Sequence, residues 1–491
     1  MPAPSCRTWS GMTGGELLPG FHAPFRRKDG KEPLMATRSR SLSHAIRIAI
    51  AILLSMAALV RPALAQSILR DAETEALFAD MSAPLIRAAG LDPKNVKVVM
   101  INDKTINAFV AGGQVVYVHS GLISAAGSAN EVQGVIAHEI GHITGGHVPL
   151  AGDNMKPLMG ISLLSLVLGA AAIAAGGGEA GMGILAAGQQ AAMGKYLAFS
   201  RGQESSADAA GAKYLNDAGV SGKGSLAFFK RLQNMEYRLG LAQTDSYERT
   251  HPLSGERIAA LEHQYQLSPA WDAKTPPAIE MRFQRIKAKL NGFVSESMTT
   301  LRTYPERDKT EPARYARAYA WHKSAYPDKA MAEVDALLKA EPDDPYYLEL
   351  KGQILLESGK PAEAIPPLRE AVALTRNQPL IAVLFGHALI ATEDPKNFNE
   401  ARTILKNAVA RDNDNPFAWY QLGVVYEREG DLPRAQLATA ERYNLEDTPS
   451  LALANARQAM QGIPEGTPDW LRAQDIAMVS EAAMQGKKKR R

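Results

Sequence analysis

The stretch NEVQGVIAHEIGHITGGH, residues 130–147, sets histidines four apart at 138 and 142, with a glutamate at 139. Val132, Val135, Ile136, Ile140 and Ile143 recur at three- and four-residue steps, which predicts an amphipathic helix. Ser128 followed by Glu131 gives that helix a capping-box start. Residues four apart lie one turn above the other, so His138 and His142 can aim ring nitrogens at a common ion. Glu139 projects from the neighbouring position and can reach a water on that ion. Two neutral nitrogens, with a carboxylate to take a proton from metal-bound water, are what a zinc hydrolase needs. The competing reading is two histidines on an ordinary helix face.

A catalytic zinc usually has three protein ligands, and this motif supplies two. A related pattern places the third histidine six residues after the second, but Val148 stands there and His147 is one residue short. Better placed are Glu204 and Asp208 in FSRGQESSADAAGAKYL, four apart on a second predicted helix, so that both carboxylates share a face. The spacing suits a glutamate on the metal and an aspartate that orients a ligand histidine through its other ring nitrogen. Taken without the first motif, the same pair reads as a solvated acidic face.

With both motifs in view, the sequence resembles the soluble relatives of the CAAX-prenyl-protease and HtpX zinc peptidases. The resemblance rests on HEIGH at 138–142, ESSAD at 204–208, INAFV at 106–110 and THPLSGERI at 250–258, and it covers residues 67–265. It implies one zinc per chain on His138, His142 and Glu204, with Glu139 as general base and Asp208 supporting the first ligand. It also implies that Asn107, Ala108 and Phe109 lie on an edge strand to which an extended peptide substrate adds. His251 matches a histidine that acts in this family as an inhibitory fourth ligand or as a transition-state stabiliser. Its other reading is a loop histidine capping the helix that begins near Ser254. Arg257 fits the pattern as a supporting residue, and the sequence assigns it no job.

A chain of 491 residues has room for two or more domains around such a site. From Met35, a basic start at Arg38 and Arg40, an apolar run from Ile48 to Val60 and the small residues Ala63-Leu64-Ala65 predict a secretory signal spanning 35–65. An uncleaved anchor is the alternative, although the run is short for a span. Residues 1–34 lack such organisation and read as a mis-assigned start. Loss of residues 1–65 removes nine of 55 Lys/Arg and three of 52 Asp/Glu, turning a formal charge of +3 into about −3, so nothing argues for nucleic acid. Cys6, the one cysteine, goes too, which leaves no disulfide framework.

The peptidase region, 66–265, predicts an α+β core. ILRDAETEALFADMSAPLIRAAG reads as an amphipathic helix, and VKVVMIND, INAFVAGG and QVVYVHSGLI read as short strands before the metal helix. Between the two metal motifs, Leu158 to Ala175 carry no charge. This stretch predicts a buried helical hairpin or a flap beside the active site, with membrane-surface contact by residues 158–193, or insertion, as the alternatives. A helical linker, 266–309, leads into internal repeats at 310–446. Ala330, Ala364, Ala401 and Ala435 recur at intervals of 34, 37 and 34, and Gly352, Gly386, Gly423 and Pro345, Pro379, Pro416 keep the same spacing. The period resembles tetratricopeptide repeats, in which helix pairs stack into one solenoid with a concave groove. Tyr346, Tyr347, Trp419 and Tyr420 either line that groove or pack within it. Residues 447–491 read as a helical cap with a solvated, disordered basic end, GKKKRR.

The expected fold is an α+β zincin-type metallopeptidase core followed by an all-α tetratricopeptide solenoid, and the expected activity is that of a periplasmic zinc endopeptidase. The combined architecture resembles Gram-negative envelope proteases that serve outer-membrane protein assembly and quality control. That resemblance implies unfolded or misassembled outer-membrane proteins as clients, and the barrel-assembly machinery as partner of the repeats. Two other readings stand beside it: a membrane-embedded stress peptidase of the HtpX kind, and a repeat-based chaperone or scaffold with a secondary peptidase activity.

Overall fold

A computed structural model describes residues 68–147, 163–168, 178–239, 251 and 255–489. They belong to one compact unit, Gln66–Arg491. The expected signal and start region fall outside the described residues, as does most of 148–177.

Asp71 decides how the peptidase region begins. Its carboxylate accepts from Thr74 N at 2.8 Å and so caps helix α1, Ala72–Ala88. A cap residue is extended, and the two residues expected to open the helix instead form a short strand β1, Ile68–Leu69. This strand pairs antiparallel with β2, Lys97–Ile101. Strands β3, Ala108–Ala111, and β4, Val115–His119, complete a sheet of order β1-β2-β4-β3, with β2 parallel and β3 antiparallel to β4. β3 is thus an edge. The SGLI segment expected to extend the last strand is the short helix α2, Ser120–Ala125. Ser120 Oγ and Gly121 N both donate to the Asp103 carbonyl at 2.8 Å, which turns the chain out of the sheet.

Met100, Val110, Val116 and Val118 fill one face of the sheet and pack in a common core with α1 and the motif helix α3, Ala129–Thr144. Of the apolar row on α3, Val132, Val135, Ile136 and Ile140 are buried, and Ile143 is half-buried against the same core. Each of the buried four contributes on the order of 1.5–3 kcal/mol, so the helix is held by burial as well as by its cap. Ser128 caps it as expected, accepting from Glu131 N, while Glu131 reaches back to Gly127 N at 2.8 Å. Helix α4, Gly178–Asp217, is forty residues long. It is followed by α5, Lys223–Leu239, α6, Gly255–Gln266, α7, Pro277–Val294, and α8, Ser297–Thr303. Helix α7, on the stretch read as a linker, adds Phe283, Ile286 and Leu290 to the same core.

The expected burial of the hairpin between the motifs does not hold for its described part. Residues 163–168 are helical, yet Leu163, Leu164, Leu166, Val167 and Leu168 are more than half exposed. Only Ser165 is buried, crowding α4 at Gly188, because no other described element covers the remaining sides. Among the described residues, no helix is long and apolar enough to cross a membrane.

Five helix pairs follow: α9 and α10 (Glu311–Lys323, Pro327–Ala340), α11 and α12 (Pro345–Glu357, Pro361–Leu374), and α13 and α14 (Pro379–Ala391, Phe398–Arg411). The last two pairs are α15 and α16 (Pro416–Arg428, Leu432–Leu445) and α17 and α18 (Pro449–Gly462, Pro468–Lys489). The repeated prolines each open a helix, where a missing N–H costs nothing. The repeated alanines are buried. A methyl on Gly352 or Gly386 would stand 2.3 or 2.6 Å from Leu368 or Leu405, so the helices of these pairs touch through the glycine. The three extra residues form a 3-10 turn at Pro395–Asn397. Helix α18 continues to Lys489, into the end expected to be disordered, and Arg490 and Arg491 lie outside the described residues. Tyr347 and Trp419 are packing residues, whereas Tyr420 is 45% exposed.

The first repeats are packed on the peptidase. Ala72 of α1 is buried among repeat residues such as Leu348 and Ile381. Arg285 of α7 bonds Glu73 at 2.5 Å on one side and Asp344 at 2.7 Å on the other. Lys289, one turn on, pairs with Asp71 and Glu73.

Candidate active site

Three helices and one turn bring the site together. His138, Glu139 and His142 come from α3, Glu204 and Asp208 from α4, Arg257 from α6 and His251 from the turn before α6. His138 Nε2 lies 3.1 Å from His142 Nε2, 3.2 Å from His251 Nδ1 and 3.4 Å from Glu204 Oε2. His142 Nε2 is 3.4 Å from Glu204 Oε1, and His251 Nδ1 is 3.1 Å from Glu204 Oε2. One donor atom from each of His138, His142, Glu204 and His251 falls within 4.8 Å of all the others, and all four residues are buried. Two imidazole nitrogens 3.1 Å apart share at most one proton, so the point between them suits a cation. Imidazole nitrogen with one carboxylate oxygen is a donor set that fits zinc.

The surroundings support this assignment. His138 Nδ1 lies 2.9 Å from Asp208 Oδ1, which leaves its Nε2 lone pair facing the cluster. Arg257 grips Asp208 with two parallel bonds, at 2.8 and 2.9 Å, and reaches Glu204 at 3.2 Å. That is the job the sequence left open. Burial alone would lower the His138 pKa, but hydrogen bonds and charge from Asp208 and Glu204 outweigh it and raise it to about 10. Burial works against the Glu204 and Asp208 carboxylates too, and the surrounding imidazoles and Arg257 still hold both below the usual carboxylate range. The cluster therefore demands positive charge at its centre, which a divalent ion supplies. Glu139 is fully buried beside it, and neither of its oxygens has a hydrogen-bond partner.

His147 does not join the cluster. Its Nδ1 sits 2.8 Å from Nδ1 of His142, behind the ligand ring, where it orients that ring instead. Sequence spacing could not separate these roles, because both require a histidine within one turn.

The edge strand meets the cluster directly. His119 N donates to Asn107 O at 3.0 Å, which makes residues 107 and 119 a hydrogen-bonded pair of the antiparallel ladder. Pairs alternate along such a ladder, so Ala108 and Val110 turn their N–H and C=O groups to the open edge. His251 Nε2 lies 3.2 Å from Ala108 O and 3.5 Å from Glu139 Oε1. Phe109 stacks on Tyr117 across the pair at 5.2 Å, and Asn107 is buried at the strand entry.

Residues 43–265, which hold both helix motifs, the edge strand and His251, match the model of peptidase family M48. That region of the chain is similar to members of that family. Residues 326–379 and 396–447 match tetratricopeptide repeats, so the expected order of a peptidase core and an all-helical repeat array holds. The β-barrel assembly-enhancing protease of Escherichia coli K12 is 27% identical over 357 residues, 70% of each chain. The protein of the same name from Yersinia pestis is 25% identical over 304 residues, 60% of this chain and 61% of that one. Metalloprotease LoiP of Escherichia coli is 34% identical over 168 residues, covering 34% of this chain and 60% of its own.

Proposed function

We propose that this chain is an M48-type peptidase, a zinc-dependent endopeptidase of the periplasm that acts on unfolded or misassembled outer-membrane proteins. The observation that carries the activity is the convergence of three imidazoles and a carboxylate beside the fully buried Glu139, at the open edge of β3. His138, His142 and Glu204 would hold one zinc per chain, which supplies a Lewis acid and brings the pKa of its water toward neutrality. Glu139 takes the proton of the attacking water and returns it to the leaving amine. Asp208 fixes the His138 tautomer, and Arg257 fixes Asp208. An extended substrate adds to β3 through the outward groups of Ala108 and Val110, with Asn107 and Phe109 framing its position. His251, held between the ligands and the Ala108 carbonyl, keeps the resting site closed.

The names of the E. coli and Y. pestis relatives support a role in outer-membrane assembly, with the barrel-assembly machinery as a partner reached through the repeats. The predicted signal at 35–65 supports export, and the exposed leucines of 163–168 support contact with a membrane surface. Purified residues 66–491 and their Glu139→Gln form test the activity. Both should carry about one zinc per chain by elemental analysis. The variant should cleave casein at least about a hundredfold more slowly. A wild type without zinc, or a variant that cleaves equally well, rejects the proposal.

A further inference from the structure

The two helices that carry the ligands touch through small residues at matched spacing. On α3 these are Ala137 and Gly141, and on α4 they are Ala207 and Gly211. A methyl on Gly141 would stand 2.6 Å from the Ala207 carbonyl oxygen and 2.9 Å from its Cα. A methyl on Gly211 would stand 3.0 Å from His138 N and 3.1 Å from the Ala137 carbonyl. Ala137 and Ala207 are themselves fully buried. Ala137 faces Gly211 and Gly141 faces Ala207, so the helices run antiparallel in one register. The polar pairs beside the seam keep the same register: His138 meets Asp208 at 2.9 Å and His142 meets Glu204 at 3.4 Å.

We propose that this Ala-x-x-x-Gly seam is the positioning device of the metal centre. It sets the separation and the axial register of α3 and α4, so that His138, His142 and Glu204 reach a single ion. The inference rests on the metal reading above. Metal–ligand distances tolerate about 0.2 Å. A methyl forced into a 2.6 Å contact must part the helices by several tenths of an ångström. The same side of α3, two turns nearer its start, offers a matched comparison. Gly134 is just as crowded, 2.7 Å from Ser225 Cα on α5, but α5 supplies no ligand.

Zinc affinity, read by competition with a chromogenic chelator, tests the seam alongside circular dichroism and melting of the zinc-free proteins. Gly211→Ala should keep the helical spectrum and bind zinc at least about tenfold more weakly, the loss expected when a ligand's support is disturbed. Gly141→Ala should lose more. Gly134→Ala should melt lower, yet bind zinc within about twofold of wild type, because its strain falls between α3 and a helix without ligands. Should Gly141→Ala fail to fold, Gly211→Ala decides, since its contacts are the milder. Seam variants that bind zinc like the wild type, or a Gly134→Ala that loses as much affinity as they do, overturn the inference. A wild type that holds no zinc overturns the metal reading and the seam with it; a zinc-loaded wild type with unaffected variants overturns the seam alone.

Discussion

His251 is held at both ring nitrogens by groups with different demands. The Ala108 carbonyl at Nε2 and the Glu204 carboxylate at Nδ1 can only accept, whereas His138 Nε2, 3.2 Å from the same Nδ1, shares at most one proton with it. The sequence left this histidine between inhibitor, oxyanion stabiliser and helix cap, and the proposal that it closes the resting site takes the first. A substrate strand on β3 would bring its own N–H to Ala108 O, so the substrate and His251 would compete for one acceptor. His251→Ala should therefore raise basal casein cleavage and self-digestion with zinc content unchanged. A fall of about a hundredfold would instead assign it to the transition state. The convergence of His138 and His142 was legible because donors that share one helix face sit four apart. The Ala108 contact was not, because a main-chain carbonyl leaves no mark in the sequence.

Among the elements, local signals decided the boundaries. Asp71 and Ser128 start their helices where cap chemistry requires, and the repeat prolines do the same. The SGLI turn depended on a carbonyl seventeen residues back, which no local pattern contains. The junction between α7, α11 and the start of α1 is a tertiary feature of the same kind. A cavity of about 280 Å³ lies there, lined by Asp71, Lys289, Tyr319 and Glu349. Burial pushes the Glu349 carboxyl up to about 8, with Lys289 opposing and Asp71 and Glu73 adding to the rise. The folded chain thus keeps a proton on Glu349 up to about pH 8 that the unfolded chain loses near its ordinary value of 4.5. The folded state binds more protons across that window, so stability falls as pH rises through it. Between about pH 5 and pH 8.5, wild type should lose roughly 2–4 °C more in melting temperature than Glu349→Gln. Parallel losses in both proteins would clear Glu349.

At the scale of the whole molecule, the repeat period told which helices stack, but not which surface the first repeats would meet. That surface is the peptidase itself, through Ala72, Arg285 and Lys289. Arg285 also lies 4.3 Å over the Tyr347 ring, so removal of the repeats strips it of Asp344, Glu311 and an aromatic face at once. Breaking such buried pairing costs about 3–5 kcal/mol. Deletion of residues 310–491 should accordingly lower the melting temperature of the zinc-loaded peptidase by about 6–20 °C. A truncated chain that melts with the intact protein would show that the junction contributes nothing. The open edge of β3 has a wider consequence. A strand seated on Ala108 and Val110 is gripped by its amides, which every residue except proline carries, so the grip is indifferent to sequence. A folded client has already committed those amides to its own sheets and helices. Under the proposed function, such an edge would distinguish chains by whether their backbone is still unpaired, a state that a protein with an unclosed barrel would advertise along its whole length.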